Sequence, residues 1–136
     1  MVIKCLPKIL LALSLLLLFS CPIYLDDGSD LTGKWYVTST EDGSYIYNES
    51  GTSVDYSFKD DGTGFDYFES GGSHPLEWDI EKVSEYERYI TLKYEDIGDD
   101  YSNSGKKYRY KYKFNDYDKN SLTLEKGSSK KNLKRK

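Results

Sequence analysis

Val54-Asp-Tyr-Ser-Phe-Lys-Asp-Asp-Gly-Thr-Gly-Phe-Asp-Tyr-Phe68 is the stretch from which the rest of the chain can be read. Val54, Tyr56 and Phe58 alternate with Asp55, Ser57 and Lys59, the period-two pattern of a strand with one buried face. Asp61-Gly62 then supplies a pair that tolerates positive φ, as a tight type I′ hairpin turn requires. Phe65 and Tyr67 resume the alternation, so the expectation is a β-hairpin with Phe58, Phe65 and Tyr67 on its buried side.

The same grammar recurs along the chain. Trp35 and Val37, the weak strand Tyr45 to Tyr47, then Leu76, Trp78 and Ile80, and Ile90, Leu92 and Tyr94 each mark a face. Tyr108, Tyr110, Tyr112 and Phe114 oppose Lys107, Arg109, Lys111 and Lys113, and Leu122 and Leu124 close the series. Turn signals fall at Gly43, Gly51, Gly71-Gly72 and residues 96–105 and 116–120. This spacing predicts an all-β domain, an eight-stranded up-and-down antiparallel barrel. An outer-membrane barrel is excluded because the face opposite the core is Lys, Arg, Asp and Glu, where lipid would demand apolar side chains. The 14 tyrosines suit strands whose faces are partly wet.

The N-terminus is of another kind. Lys4 and Lys8 precede the apolar run Ile9 to Phe19, and Ser20-Cys21 follows. A helix over that run would rise about 16 Å, short of the ~30 Å of a bilayer core. Residues 1–20 therefore read as an export signal. Leu18-Phe-Ser-Cys21 resembles the lipobox of bacterial lipoproteins, which implies Cys21 as the lipid-attachment residue carrying an acyl anchor of the palmitate kind. Cys5 is lost with the leader, so no disulfide is expected. Residues 21–30 read as a flexible polar tether, 31–127 as the barrel and 128–136 as a basic disordered tail. Between the leader and that tail stand 12 basic and 23 acidic side chains, a balance that repels phosphate and argues against nucleic acid.

Three further stretches carry a resemblance to a family. Leu31-Thr-Gly33-Lys-Trp35 resembles the Gly-x-Trp start of lipocalins and bacterial lipocalin-like lipoproteins. Tyr56-Ser-Phe-Lys-Asp-Asp61-Gly62-Thr-Gly64 resembles their Asp-Gly-Thr-Gly hairpin, and Leu76-Glu-Trp78 with Ser121-Leu-Thr-Leu124 resembles their later strands. The resemblance implies that Trp35 closes the bottom of the barrel, with a base near the last strand stacked on it. Lys126 is the base this sequence offers there, where lipocalins use Arg.

Chemistry is sparse. His74 is the lone histidine, so no Ser-His-acid triad or His-based zinc set can be built within the chain; it reads as a turn residue before Pro75. Asp60, Asp61 and Asp66 around Gly62, and Asp96, Asp99 and Asp100 around Gly98, lack the spacing and closing bidentate carboxylate of a calcium loop. Glu77, Asp79 and Glu81 read as a solvated face. No catalytic residue, metal or cofactor is expected. The candidate ligand-binding residues are the aromatic inward positions Tyr56, Phe58, Tyr67, Trp78, Tyr94, Tyr108, Tyr110 and Tyr112. They would either wall a pocket for a small apolar or amphipathic molecule or simply fill the barrel. In the second case the protein would be a surface-interaction module with an envelope protein partner, met through the acidic loop 96–105. The expected location is the cell envelope, lipid-anchored to the outer membrane or cell surface.

Overall fold

The computed structural model describes residues 28–48 and 54–136. The leader 1–20, the lipid-attachment position Cys21 and most of the tether lie outside the described residues. A 3₁₀ turn at Ser29–Leu31 precedes strands β1 (Gly33–Asp42), β2 (Tyr45–Asn48), β3 (Tyr56–Phe58), β4 (Thr63–Tyr67) and β5 (Ser73–Lys82). Strands β6 (Arg88–Tyr94), β7 (Lys107–Phe114), β8 (Ser121–Lys126) and β9 (Ser129–Arg135) complete the chain. All neighbours pair antiparallel, and β1 pairs with β9 from Trp35↔Arg135 to Asp42↔Ser129. That pairing closes β1 and β3 to β9 into an eight-stranded up-and-down barrel.

Two memberships differ from the sequence expectation. Tyr45 to Tyr47 is not a barrel stave: β2 folds back on the end of β1, whose start instead pairs with β3. Residues 128–136 are not a disordered tail. They form β9, the stave that closes the barrel. Its apolar content is slight because it runs the full height of the wall. Only Leu133 of its inward side chains reaches the central core, while Lys131 and Arg135 sit near the two ends, where charge stays partly wetted. Outward, Lys130 lies 3.3 Å from Glu125 and 3.9 Å from Glu41 on the flanking strands.

The central hairpin also departs from expectation. Its turn is Lys59 to Gly62, with the Gly62 N–H donating to the Lys59 carbonyl (3.2 Å) and Gly62 at φ 84°. A two-residue type I′ loop at Asp61-Gly62 would set Phe58 opposite Phe65. Here Phe58 pairs with Gly64 and Tyr56 with Asp66. A register shift of one residue moves every following side chain to the other face. Gly64 and Asp66 therefore point inward, and Phe65 and Tyr67 lie on the outer face beside each other.

The interior is layered. Trp35, Phe58, Leu76, Trp78, Ile90, Leu92, Leu122, Leu124 and Leu133 fill the lower and middle barrel, each nearly inaccessible to water. The β1–β3 pairing ends at Trp35, and there the Asp55 carboxylate accepts the Val37 N–H at 2.6 Å, so a part-buried donor is not left without a partner.

Candidate functional site

The two ends of the barrel are built differently. At the base, the Ser29–Leu31 turn lies across the opening. The Trp35 indole N–H donates to the Leu31 carbonyl at 2.9 Å. Arg135, from the end of β9, stacks on Trp35 with its guanidinium carbon 4.3 Å from the ring centroid. The same guanidinium donates to the backbone carbonyls of Thr32 (2.5 Å), Asp30 (2.6 Å) and Lys119 (3.1 Å). Arg135, and not Lys126, is thus the base on the tryptophan. Gly33 makes room for it, since a Cβ there would stand 2.8 Å from the Arg135 Nη1. Gly28 packs equally closely on the Trp78 ring, so this part of the expected tether belongs to the folded domain. The Trp78 indole N–H reaches the carbonyls of Lys59 and Thr63 at 2.9 and 3.0 Å. The base is sealed.

The other end is open. There the inward positions of β3, β4, β6, β7 and β9 line a cavity of about 320 Å³ formed by Tyr56, Asp66, Tyr94, Tyr108, Tyr110 and Lys131. Asn103, from the loop 96–105, joins the wall by accepting the Tyr108 hydroxyl at 2.9 Å. Two polar pairs organise the cavity. Tyr94 donates its hydroxyl to the Asp66 carboxylate at 2.7 Å, and Lys131 donates to the Tyr56 hydroxyl at 2.9 Å. Burial raises the Asp66 carboxyl above its ordinary range, and the Tyr94 hydroxyl and Lys131 ammonium oppose that rise. Burial, with Tyr56 and Asp66 as neighbours, pushes the Tyr94 phenol far up, so it stays a donor. Burial also raises Tyr110.

His74 is not a turn residue. It occupies an inward position of β5, is 1% exposed, and packs edge-on to Tyr94 at 4.9 Å. Its Nε2–H donates to the Glu95 carbonyl (2.7 Å), because a carbonyl can only accept. Tyr101 of the acidic loop stacks on Phe68 at 5.6 Å and fastens that loop beside the mouth.

The eight aromatic candidates therefore divide by depth. Tyr56, Tyr94, Tyr108 and Tyr110 line the mouth. Phe58, Trp78 and Tyr112 are buried core side chains that do not line it. Tyr67 lies on the outer face and is withdrawn as a ligand residue. Sequence reasoning missed Asp66 and Lys131: the first was hidden by the one-residue register shift, the second by the unrecognised last strand. Asp60, Asp61 and Asp66 do not converge. Asp61 accepts from the Thr63 N–H and hydroxyl, while Asp66 faces inward. Among the described residues, no three His, Cys, Asp or Glu side chains are grouped to hold a metal ion.

A larger groove of about 640 Å³ runs along the outside of β7 and β8 near the turn Val83 to Glu87. Its rim is Glu85, Lys113, Lys119, Glu125 and Lys130, long charged side chains that define no fixed shape. The mouth is the better site, because its polar atoms are inward-facing and held by hydrogen bonds.

A closed eight-stranded antiparallel barrel with one sealed and one open end is a lipocalin-like fold, and comparison with solved structures bears this out. The chain is similar to a lipocalin-like protein from Bacteroides uniformis, at 17% identity and a TM-score of 0.53, over 79% of this chain and 100% of that one. It is also similar to an uncharacterized protein from Bacteroides eggerthii, at 11% identity and a TM-score of 0.52, over 77% and 98% of the two chains. No protein-family model and no curated protein matches the sequence. The fold is consistent with ligand binding.

Proposed function

We propose that this protein is a lipid-anchored envelope lipoprotein, not an enzyme, whose barrel mouth binds a small amphipathic molecule. The observation that carries the reading is the ~320 Å³ mouth cavity, in which four tyrosine rings supply apolar wall while Asp66 and Lys131 supply orienting polar groups. Its volume is near the lower limit of ordinary ligand sites, about 300–1,000 Å³. A compact ligand fits better than a long extended chain, since Phe58, Trp78 and Leu92 occupy the space below.

The test is native mass spectrometry of the full mature protein, purified gently from its own envelope. A reproducible extra mass that leaves on denaturation, and that Tyr110→Ala loses without unfolding, supports ligand binding. A bare mass in every preparation favours the alternative, a barrel that presents the Asp96–Gly105 loop to an envelope protein. The filled lower half of the barrel is the feature that favours that second reading. Anchoring is tested separately: Cys21→Ala is expected to release the protein from the membrane fraction, and continued membrane association would refute it.

A further inference from the structure

We infer that the mouth selects an amphipathic anion, a flat apolar body bearing a carboxylate, sulfonate or similar head that is met by Lys131 and Lys126. This rests on the mouth being a ligand site and adds the charge of what it takes. Four tyrosines around a carboxylate would ordinarily suggest the opposite, an aromatic cage for an ammonium ligand. The geometry argues against that choice because the protein's own cations already stand at two of the four rings and hold the hydroxyl of a third. Lys131 Nζ lies 5.9 Å from the Tyr110 ring centroid and Lys126 Nζ 4.9 Å from that of Tyr108, while Lys131 meets Tyr56 through its hydroxyl at 2.9 Å. Both ring distances are within the ~6 Å at which a cation is held by a ring.

The two ammonium groups outnumber the one carboxylate in the lining. Asp66 is already engaged by the Tyr94 hydroxyl, which leaves it a weaker partner for a second donor. Its pKa is raised by burial, so its negative charge is the more easily given up. Among the described residues Lys131 uses one hydrogen bond, to Tyr56, and an ammonium has three donors to give. The Tyr110 hydroxyl can donate beside it, whereas those of Tyr94 and Tyr108 already donate to Asp66 and Asn103. Asp99 and Asp100 of the neighbouring loop are exposed and not part of the lining. Burying a third cation here would leave it beside two ammonium groups already in the lining, whereas an anion with an aromatic or branched body satisfies both the charge and the ring surfaces.

Two dyes separate the charge from the apolar body. 8-Anilinonaphthalene-1-sulfonate and N-phenyl-1-naphthylamine share their ring system and differ by the sulfonate. Titration of the full mature chain, followed by dye fluorescence, is expected to show the sulfonate bound at least about tenfold more tightly, the worth of one good charge-assisted contact. Raising the salt concentration should narrow that ratio. Lys131→Met and Lys126→Met, each checked for a cooperative unfolding transition, should abolish the preference by weakening the sulfonate at least about tenfold more than the neutral dye. Equal affinity for the two dyes, or a preference that survives both substitutions, would overturn the anion assignment and leave ligand binding standing. If neither dye binds in a way that Tyr110→Ala weakens, the ligand-site reading falls, and this inference with it.

Discussion

Replacing Arg135 by Ala tests how the barrel is closed. The side chain makes three charged hydrogen bonds to carbonyls of Asp30, Thr32 and Lys119 and stacks on Trp35. Asp30 and Thr32 belong to the entry segment just before β1 and Lys119 to the loop before β8, so one guanidinium ties the last strand to two other segments, one of them more than 100 residues away. The bonds to Asp30 and Thr32 are partly buried and the one to Lys119 is exposed. Counting about 1 kcal/mol for each of the first two and little for the third, with roughly 0.5–1 kcal/mol for the stacked cation, the loss is about 3 kcal/mol. Against the 5–15 kcal/mol typical of a domain that is a large share. It should lower Tm by roughly 12 °C or more, on the scale of 4–8 °C per kcal/mol for a domain of this size. Urea unfolding followed by tryptophan fluorescence is the assay, since Trp35 itself reports on the site. Arg135→Lys keeps the charge but not the planar fork, and should recover about a third of the loss. A loss below about 1 kcal/mol for Ala, or full recovery with Lys, would refute the closure argument.

Three other outcomes follow from the same structure. A chain ending at Gly127 lacks β9, so β1 and β8 become open edges; it should show no cooperative unfolding transition, and a native-like transition would mean that the barrel closes another way. Gly64→Ala should destabilise by about 2–3 kcal/mol in denaturant titration, because a Cβ there would press on the Ser57 backbone carbonyl and no rotamer relieves it. Asp66→Asn should change the pH dependence of stability. With its carboxyl raised in the fold by burial, and modulated by Tyr94, Lys131, His74 and Asp55, Asp66 contributes stability that is present below the unfolded value near 3.8 and lost as pH rises through the folded value. Asn still accepts from Tyr94. Wild-type stability measured in urea should therefore fall relative to the variant on going up from pH 4, and a constant difference would show that Asp66 does not titrate in the fold.

Much of the architecture was legible because alternation is a local property. Trp35 and Val37, Leu76 and Trp78, Ile90 and Leu92, Leu122 and Leu124 all face inward as their spacing implies. The up-and-down order follows from turn residues at regular intervals, whereas the count of eight staves was reached with β2 taken for one and β9 left out. The candidate site was legible by half: Tyr56, Tyr94, Tyr108 and Tyr110 reach the mouth, and nothing local distinguished them from Phe58, Trp78 and Tyr112, which occupy other parts of the interior.

The rest was decided by contacts between distant segments. One residue more in the turn at Lys59 to Gly62 put Asp66 into the cavity and Tyr67 outside it, a choice that depends on how the hairpin meets its neighbours. Ser129–Arg135 has too few apolar side chains to declare itself a strand. It becomes one because the unpaired edges of β1 and β8 both need a partner, and because Lys131 and Arg135 fall at the two ends of the wall, where their charges find Tyr56 at the mouth and Trp35 at the base. Period-two patterning in the sequence determined the strands and their core. Barrel closure, the seal at one end and the polar character of the other came only from the tertiary structure, because each depends on side chains whose partners lie most of the chain away.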